Sequence, residues 1–441
     1  MGSTAPRRYA GYDADRTPGR SDRPVRGRPS LYTSYEAEAA LLPTRTRKVA
    51  LGLLLIVLVL MPFSMPVIDQ IPFVRFLGDA PWLRVVNRAL IFSIAALGLN
   101  LLAGLAGQVS LGHAFFMGVG AYTAVLMGGV STPHLWGWGL PMWLWLPASG
   151  VVAAIVGVMV APAAVRVRGL YLAIATIGLV FIGLHLSRVF PEIAGPGALG
   201  RKWPKLQFRF WKEEEPFLDF SDNGQWLWFE VGRVQKTYFF LLALLVLLAV
   251  AAANLARSRT GRSWAAIRDR DVAAEIMGVA EFRAKTTAFA ISSFYAGVAG
   301  ALLASMVGQM NPEAWNLLLS VEFVAILLIG GMGRVSGAIM GTFFVVLSPR
   351  FVEQFIGWTA DQAEGDGLFS GFWDLLVSVG SGDFGLISVT QQALGFPLPA
   401  SALDEIIYGV LIIVFLLFEP LGLFGIWVKV RNYWKGWPFS Y

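Results

Sequence analysis

The chain has 441 residues, of which 56% are hydrophobic and only 15% are charged, and its formal net charge is +6. A soluble domain carries about 25% charged residues, so this composition indicates a polytopic membrane protein. The sequence has no cysteine, which excludes disulfides and thiolate metal sites. Its three histidines, His113, His134 and His185, are far apart in the sequence. We therefore expect no metal site and no cofactor.

The first 48 residues are polar and rich in arginine, proline and glycine. This composition predicts a disordered basic tail over residues 1–48. Its simplest interpretation is a cytoplasmic topology signal, because basic residues beside a membrane span favour the inner side. The tail is too long for the basic region of a signal peptide, so we expect the span that follows it to be retained.

Ten apolar segments follow, and together they predict an all-α membrane domain over residues 49–430 with a short tail, 431–441. A span of about 20 residues crosses a hydrocarbon core of about 30 Å. The eighth segment spans only if its helix begins near Pro312. In chain order the segments are Val49–Met65, Val85–Leu105, Ala114–Val130, Met142–Val165, Leu170–Leu186, Thr237–Ala253, Thr287–Val307, Ala314–Gly331, Ala338–Phe355 and Ile406–Trp427.

Lysine and arginine are distributed unevenly among the connections between these segments. With the tail inside, the inner connections contain Arg166, Arg334 and the basic segment 257–285, whereas residues 351–428 contain neither lysine nor arginine. This asymmetry predicts that both termini are cytoplasmic. Two long connections, 188–236 and 357–404, are then extracytoplasmic. Their aromatic residues either cover the membrane interface or form a landing surface for a partner.

The second and third segments meet in a glycine-rich stretch, 96–124, that contains four polar side chains: Asn100, Gln108, Ser110 and His113. Its glycines allow a broken helix, which membranes tolerate only where the chain is buried or lines a water-filled path. One interpretation is that the four residues line a translocation pathway. The other is that they form hydrogen bonds between packed helices.

The segment 257–285 is much longer than a simple connection requires, and it is predicted to form a basic helical platform. Small alanines favour a helix, and Gly278 favours its end. We interpret the platform as a docking and coupling loop for a soluble cytoplasmic partner. Its candidate residues are Arg262, Arg268, Asp269, Ala273, Ala274, Glu275, Met277 and Gly278.

Small residues at four-residue spacing predict close helix packing in two places. One series contains Gly297 and Ala301, and the other contains Gly333, Gly337 and Gly341. Ser320 and Glu322 predict a helix start, with the serine near the cap and the acid in the first turn.

Several absences narrow the functional class. Residues 89–165 contain no Asp, Glu, Lys or Arg, whereas ion-coupled transporters usually keep ionisable groups inside the membrane. No GxxxxGK[ST] motif is present, so this chain cannot hydrolyse ATP through that motif. No nucleophile–base pair is evident, and a membrane-embedded enzyme is a remote alternative.

Four blocks of the sequence resemble one known family. They are GLNLLAGLAGQVSLGHAFFMGVGAYTA, RVRGLYLAIATIG, SRTGRSWAAIRDRDVAAEIMGVAEFRAKTTAFAISSFYAGVAGALLA with the later IGGMGRVSGAIMG, and FEPLGLFG. Together they are similar to the M-type (LivM-like) permeases of ABC importers for branched-chain amino acids. The blocks extend over most of the chain from Val85 onward and occur in the same order.

The resemblance implies an ABC importer permease fold in the bacterial plasma (inner) membrane. It also implies two ABC ATPase subunits docked on the coupling loop, a second, H-type permease and an extracytoplasmic substrate-binding protein. The chain itself is then not an enzyme, and nucleic acid is not among the expected partners. Related permeases for urea or short amides share several blocks, so that substrate class is an alternative, and a secondary transporter or channel is a further one.

The predicted topology can be tested with single cysteines, because the natural chain has none. Cysteine at Gly19 or Gly436 should react with an impermeant thiol reagent only from the cytoplasmic side, and cysteine at Gly365 only from the other side. Labelling of Gly365→Cys from the cytoplasm would contradict this topology.

Overall fold

The structure is a computed structural model that describes residues 45–63, 80–167, 169–195, 201–209, 229–364 and 421–436, with shorter pieces at 216, 218–220, 222, 224–226, 377–378, 387–388, 398–399, 406, 409–410, 412–414 and 417–419. Within these residues the chain is mainly helical. Six helices are long and apolar enough to cross a membrane, and Lys48–Leu60, His113–Gly128 and Leu317–Gly330 are shorter apolar helices.

The helices are α1 Arg45–Leu60, α2 Ala80–Leu99, α3 His113–Gly128, α4 Met142–Arg166, α5 Leu170–Val189, α6 Pro191–Ala194, α7 Arg233–Arg257, α8 Arg259–Ile276, α9 Glu281–Val307, α10 Leu317–Gly330, α11 Val335–Glu364 and α12 Gly422–Gly436. A π-helix, Asn100–Leu105, continues α2, and a 3-10 helix, Pro312–Trp315, precedes α10. The predicted all-α membrane architecture is confirmed.

Short strands pair in the connections between helices. They are β1 Arg201–Lys202, β2 Gln207–Phe208, β3 Leu218–Asp219, β4 Gly224–Trp226, β5 Phe229–Val231, β6 Gln309–Met310, β7 Val377–Ser378, β8 Ile387–Ser388 and β9 Leu398–Pro399. The β1–β6, β2–β3 and β4–β5 pairs are antiparallel, and β7–β8–β9 is parallel. The buried Arg201 donates to the carbonyls of Trp136 and Glu192, and together with the β1–β6 pair this joins three connections at this end of the bundle.

Helix α9 is the centre of the bundle and packs against α4, α3 and α2. Its small residues allow this close approach, since a Cβ on Gly297 would lie 2.5 Å from Ala153 Cβ, and Ala301 is fully buried. A Cβ on Gly300 would overlap the carbonyl oxygen of Met117 in α3. Dispersion between closely packed helices replaces the hydrophobic drive that is absent in lipid.

Helices α10 and α11 form a second closely packed pair. A Cβ on Gly337 would lie 2.5 Å from the carbonyl oxygen of Gly331, and one on Gly341 would lie 2.7 Å from Gly330 Cα. The prediction that Gly333 packs between helices is wrong. Gly333 lies in the turn before α11, with φ of +82°.

The structure corrects several predicted boundaries. Helix α10 begins at Leu317, where Asn316 caps it by accepting from Leu319 N at 3.0 Å, so the predicted start at Ser320 is wrong. Since α10 has 14 residues, it is about 21 Å long. The chain is not helical at Glu419 and α12 begins at Gly422, so the predicted tenth segment is not one continuous helix.

Two of the predicted connections are shorter than expected. Helix α11 continues to Glu364, so the first eight residues of the predicted 357–404 loop are helical. Helices α5 and α7 likewise extend into the predicted 188–236 loop at both of its ends. Most of the remaining 357–404 loop and residues 1–44 of the predicted tail lie outside the described residues.

Two helical glycines, one packed and one open, should respond in opposite ways to replacement by alanine. Gly300→Ala should destabilise the bundle by about 1–3 kcal/mol, because its Cβ would overlap backbone in α3. Gly178→Ala, in α5, should be neutral or stabilising, since no atom lies within 4 Å of its Cβ. The unfolding temperature in detergent, followed by tryptophan fluorescence, checks this; equal values for the two variants would contradict it.

Candidate functional site

The predicted break in the second span is present and has a defined form. Helix α2 passes directly into the π-helix Asn100–Leu105, and the chain then leaves helical geometry at Gly107, where φ is +68°. Helix α3 begins six residues later at His113. Short π-helical segments occur frequently at functional sites. The break therefore marks the first part of the candidate site.

Several backbone N–H groups at this break are paired inside the protein. Leu111 N donates to Thr176 Oγ1 of α5 at 2.9 Å, and Ala114 N donates to Ser320 Oγ of α10 at 3.0 Å. Gln108 N donates to the Leu102 carbonyl at 3.1 Å. Unpaired backbone groups are very costly in an apolar medium. Side chains from two other helices thus stabilise the broken conformation, and Ser320 caps α3 rather than its own helix.

The π-helix contacts the turn between α10 and α11 through Asn100. The Asn100 side chain is buried, and its Oδ1 accepts a hydrogen bond from Gly333 N at 2.8 Å. Gly104 lies between these two groups, since a Cβ there would lie 2.5 Å from both Asn100 Oδ1 and Gly333 N. Only glycine fits at position 104 without displacing this hydrogen bond.

Helix α8 contacts the same π-helix through Arg268. Arg268 Nη1 donates to the Gly104 carbonyl at 2.8 Å, while its Nε and Nη2 both donate to Asp269 Oδ1 at 3.1 Å. A Cβ on Gly107 would lie 2.7 Å from Arg268 Cγ. We call Asn100, Gly104, Arg268 and Gly333 the coupling node. It joins three parts of the chain: the π-helix, α8 and the turn before α11.

Helix α8 is anchored to α9 and interrupted in the middle. The fully buried Trp264 donates from Nε1 to the Ala284 carbonyl at 2.9 Å, next to the buried ion pair of Lys285 and Glu281 at 2.6 Å. Arg270 has non-helical angles (φ −156°, ψ 100°), which divides α8 into two pieces. The first piece is thus fixed to the bundle, and the second changes direction immediately after Arg268.

The second piece of α8 ends as the sequence predicts, at Met277 and Gly278. Gly278 has φ of +88°, with Gly278 N donating to the Glu275 carbonyl and Val279 N to the Ala274 carbonyl. These two bonds form a Schellman motif. The motif leaves Ile276 80% exposed and Met277 83% exposed. Together with the exposed Val272, they form an apolar patch that we call the α8 tip.

The four predicted pathway residues are buried, and their polar atoms bind backbone within the chain. Gln108 Nε2 donates to the Ala106 carbonyl at 3.3 Å, Ser110 Oγ accepts from Gly112 N at 3.3 Å, and His113 Nε2 lies 2.9 Å from the Ala95 carbonyl. Asn100 belongs to the coupling node instead. The His113 contact joins α3 to α2, as the packing alternative requires, whereas the Gln108 and Ser110 contacts are local to the break. Both interpretations of the four residues stay predictions.

The predicted coupling-loop residues are divided between the node and the tip. Arg268 and Asp269 lie at the node, Ala273 and Glu275 are exposed beside the tip, and Ala274 is buried. Arg262 Nη1 donates to the Arg257 carbonyl at 2.9 Å near the start of α8. Sequence reasoning missed Val272 and Ile276, although apolar residues in an otherwise polar loop were a signal for them. Within the described residues, no group of three or more His, Asp or Glu side chains could hold a metal ion.

Comparison with known proteins identifies the class to which this fold and site belong. Residues 82–416 match the family described as "Branched-chain amino acid transport system / permease component". The match extends over more than half of the chain, and the chain therefore belongs to this permease family. No solved structure matches it.

Individual relatives agree with this assignment. The high-affinity branched-chain amino acid transport system permease LivM of Escherichia coli K12 is 33% identical over 277 residues, which is 62% of this chain and 63% of the relative. LivH of the same strain is 25% identical over 271 residues, 57% of this chain and 78% of the relative. The autoinducer 2 import permease LsrC of Enterobacter sp. strain 638 is 34% identical over 110 residues, 24% of this chain and 32% of the relative. The chain thus spans somewhat less than two thirds of the LivM relative.

Replacing Asn100 by leucine tests whether the hydrogen bond in the coupling node stabilises the turn at Gly333. This change leaves the half-buried Gly333 N–H without its acceptor, at a cost of about 1–3 kcal/mol. Hydrogen–deuterium exchange of residues 331–334 should become about tenfold faster. Thr342→Val is the matched control, because Thr342 Oγ1 bonds only the Ala338 carbonyl of its own helix. Unchanged protection in Asn100→Leu would show that the hydrogen bond does not stabilise the turn.

Proposed function

We propose that this chain is the membrane permease subunit of an ATP-driven importer, and that it forms half of the translocation pathway for branched-chain or related hydrophobic amino acids. Membership of the permease family and the names of LivM and LivH support this class of substrate. The observation that carries the proposal is the hydrogen bond from Arg268 of α8 to Gly104 in the broken helix. It connects a candidate docking element to a candidate part of the pathway.

The proposed partners follow from the same features. Two ATPase subunits dock at the cytoplasmic side, one of them on the α8 tip, and they alone hydrolyse ATP. A second, H-type permease completes the pathway, and a binding protein delivers the substrate from the other side. The distribution of lysine and arginine supports an orientation in the bacterial plasma membrane with both termini cytoplasmic. In this orientation, residues 257–285 are the coupling loop.

The proposed mechanism uses α8 as a lever on the break. When the ATPases close, they displace the tip, and the first piece of α8 tilts about its anchor at Trp264. Arg268 holds the Gly104 carbonyl, so the π-helix moves with α8. Asn100 transmits the same displacement to Gly333 and the start of α11. Packed helices move as rigid bodies, so a small shift at the node changes access along the bundle.

The α8 tip supplies the main test of this proposal. Ile276→Asp should reduce co-purification of the ATPase subunits at least tenfold, because burying an isoleucine stabilises an interface by about 1.5–3 kcal/mol. Ile276→Leu keeps the apolar contact and serves as the control. The amount of ATPase bound to tagged permease in detergent, at equal permease levels, is the measurement. Equal binding in both variants would contradict docking at the tip.

Charge and backbone variants test the same surface independently. Glu275→Lys reverses an exposed charge beside the tip, and Gly278→Val strains a position with φ of +88°. Both should reach the membrane but fail to support ATP hydrolysis stimulated by loaded binding protein. Glu275→Gln, a neutral control, should have an intermediate effect. Normal stimulated hydrolysis in both variants would mean that this loop is not the coupling element.

A further inference from the structure

A cavity of about 290 Å³ lies between α3, α5 and the 3-10 helix before α10. We call it the α3–α5 cavity. Its walls are almost entirely apolar and include Phe115, Val119, Leu126, Val180 and Leu184, and no Asp, Glu, Lys or Arg lines it. Small-molecule sites in proteins measure about 300–1,000 Å³ and are mostly apolar with a few polar groups. The cavity therefore fits a small ligand with an apolar part.

One residue that lines this cavity, Trp315, has a buried hydrogen-bond donor without a partner in the described part of the chain. Trp315 is 3% exposed, and its Nε1 has no hydrogen-bond acceptor among the described residues. The indole is held in place, since a Cβ on Gly118 of α3 would lie 3.2 Å from Trp315 Cγ. The buried hydroxyl of Tyr122 also lines the cavity, beside Ser187. An unpaired N–H in an apolar interior is costly, so a ligand that supplies an acceptor would be stabilised there.

An ion pair connects the two elements at the rim of the cavity. Arg188 Nη2 at the end of α5 lies 3.1 Å from Glu313 Oε1 of the 3-10 helix, and the two side chains are 62% and 68% exposed. Arg188 follows the lining residue Ser187, and Glu313 follows the lining residue Pro312. The rim thus offers one positive and one negative charge to a ligand, with no excess of either sign.

The apolar cavity, the ion pair at its rim and the buried N–H together fit a zwitterionic ligand with an aliphatic tail. A free neutral amino acid carries one ammonium and one carboxylate group, which match Glu313 and Arg188. Its carboxylate can also accept a hydrogen bond from the N–H of Trp315, which belongs to the same 3-10 helix as Glu313. A branched aliphatic side chain fills a small apolar cavity. A lipid acyl chain would also fill the cavity, but the chain itself has no charged group to pair with Arg188 or Glu313 and no acceptor for the Trp315 N–H.

We propose that the α3–α5 cavity is a binding site for neutral branched-chain amino acids, in which the cavity holds the side chain and Arg188, Glu313 and Trp315 bind the charged end. This inference rests on the proposed function, and it assigns the site at which the permease receives its substrate. In the orientation proposed above, α5 ends on the extracytoplasmic side, so the rim faces the compartment from which substrate arrives.

Changing the cavity volume tests the proposal through selectivity. The complete transporter is reconstituted with its ATPases, partner permease and binding protein, and the binding protein is saturated with leucine or valine in turn. Val119→Phe fills the cavity and should lower the leucine-to-valine uptake ratio at least fivefold, and Leu126→Ala should raise it. One methylene in an apolar pocket is worth about 10–200-fold in discrimination, so these changes are measurable. Ile155→Phe, on an exposed face of α4, is the control and should leave the ratio unchanged.

Changing the charged end tests recognition of the zwitterion. Arg188→Gln and Glu313→Gln should each reduce uptake of both amino acids at least fivefold without altering their ratio. Trp315→Phe, which removes only the N–H and part of the ring, should have the same kind of effect. Arg350→Gln breaks the comparable exposed ion pair with Glu353, at 2.7 Å, and serves as the control with normal uptake. All rates are normalised to the amount of assembled transporter.

The possible outcomes separate this inference from the proposed function. If the wild-type transporter imports leucine but Val119→Phe and Leu126→Ala keep its selectivity, the cavity does not hold the side chain and the permease assignment stands; a lipid chain identified in the purified protein would then be its occupant. If the ratios shift but the three charged-end variants transport normally, the assignment of Arg188, Glu313 and Trp315 is wrong. If the wild-type transporter imports neither amino acid, the proposed function fails, and the inference fails with it.

Discussion

The structure depends on the pairing of backbone groups where the helix of the second span breaks. In an apolar medium, each free N–H would cost several kcal/mol, so a break persists only if other parts of the chain supply acceptors. Thr176 and Ser320 supply two of them from α5 and α10. In the opposite direction, Asn100 of the π-helix accepts from Gly333 N in the turn before α11. The break is thus held by helices that are distant in sequence, and a movement of any one of them changes its hydrogen bonds.

This dependence explains the position of Arg268. The last turn of the π-helix leaves the Gly104 carbonyl available, and a guanidinium from α8 binds it at 2.8 Å. A hydrogen bond to a charged donor contributes about 1.5–3 kcal/mol, and less at a side chain that is 41% exposed. Trp264 anchors α8 behind it, and the non-helical Arg270 separates the anchored piece from the tip.

Much of this architecture could be predicted from the sequence, because it follows from local rules. Span length and small residues at four-residue spacing located most of the helices and the contacts of Gly297 and Gly337. The helix end at Gly278 followed from glycine's access to positive φ. The pairing of Asn100 with Gly333 could not be predicted, since the two residues are 233 positions apart and only the folded bundle brings them together. For the same reason Ser320 was assigned to its own helix, whereas it caps α3. The α3–α5 cavity could not be predicted either, because the apolar residues that line it have the same sequence pattern as any lipid-facing or packed helix face.

The glycines of the node impose a constraint on how such a permease can diverge over time. A side chain at Gly104 would collide with Asn100 and Gly333, and one at Gly107 would collide with Arg268. A substitution at Gly107 therefore requires a change at Arg268, whereas one at Gly104 also meets the backbone of Gly333, which no substitution at 333 removes. Viable change in this region has to be concerted. Exposed positions such as Tyr171 on α5 or Met159 on α4 meet no such requirement and can drift one residue at a time. We expect lineages to adapt to a new membrane or partner through the bundle surface while the node is inherited as a unit.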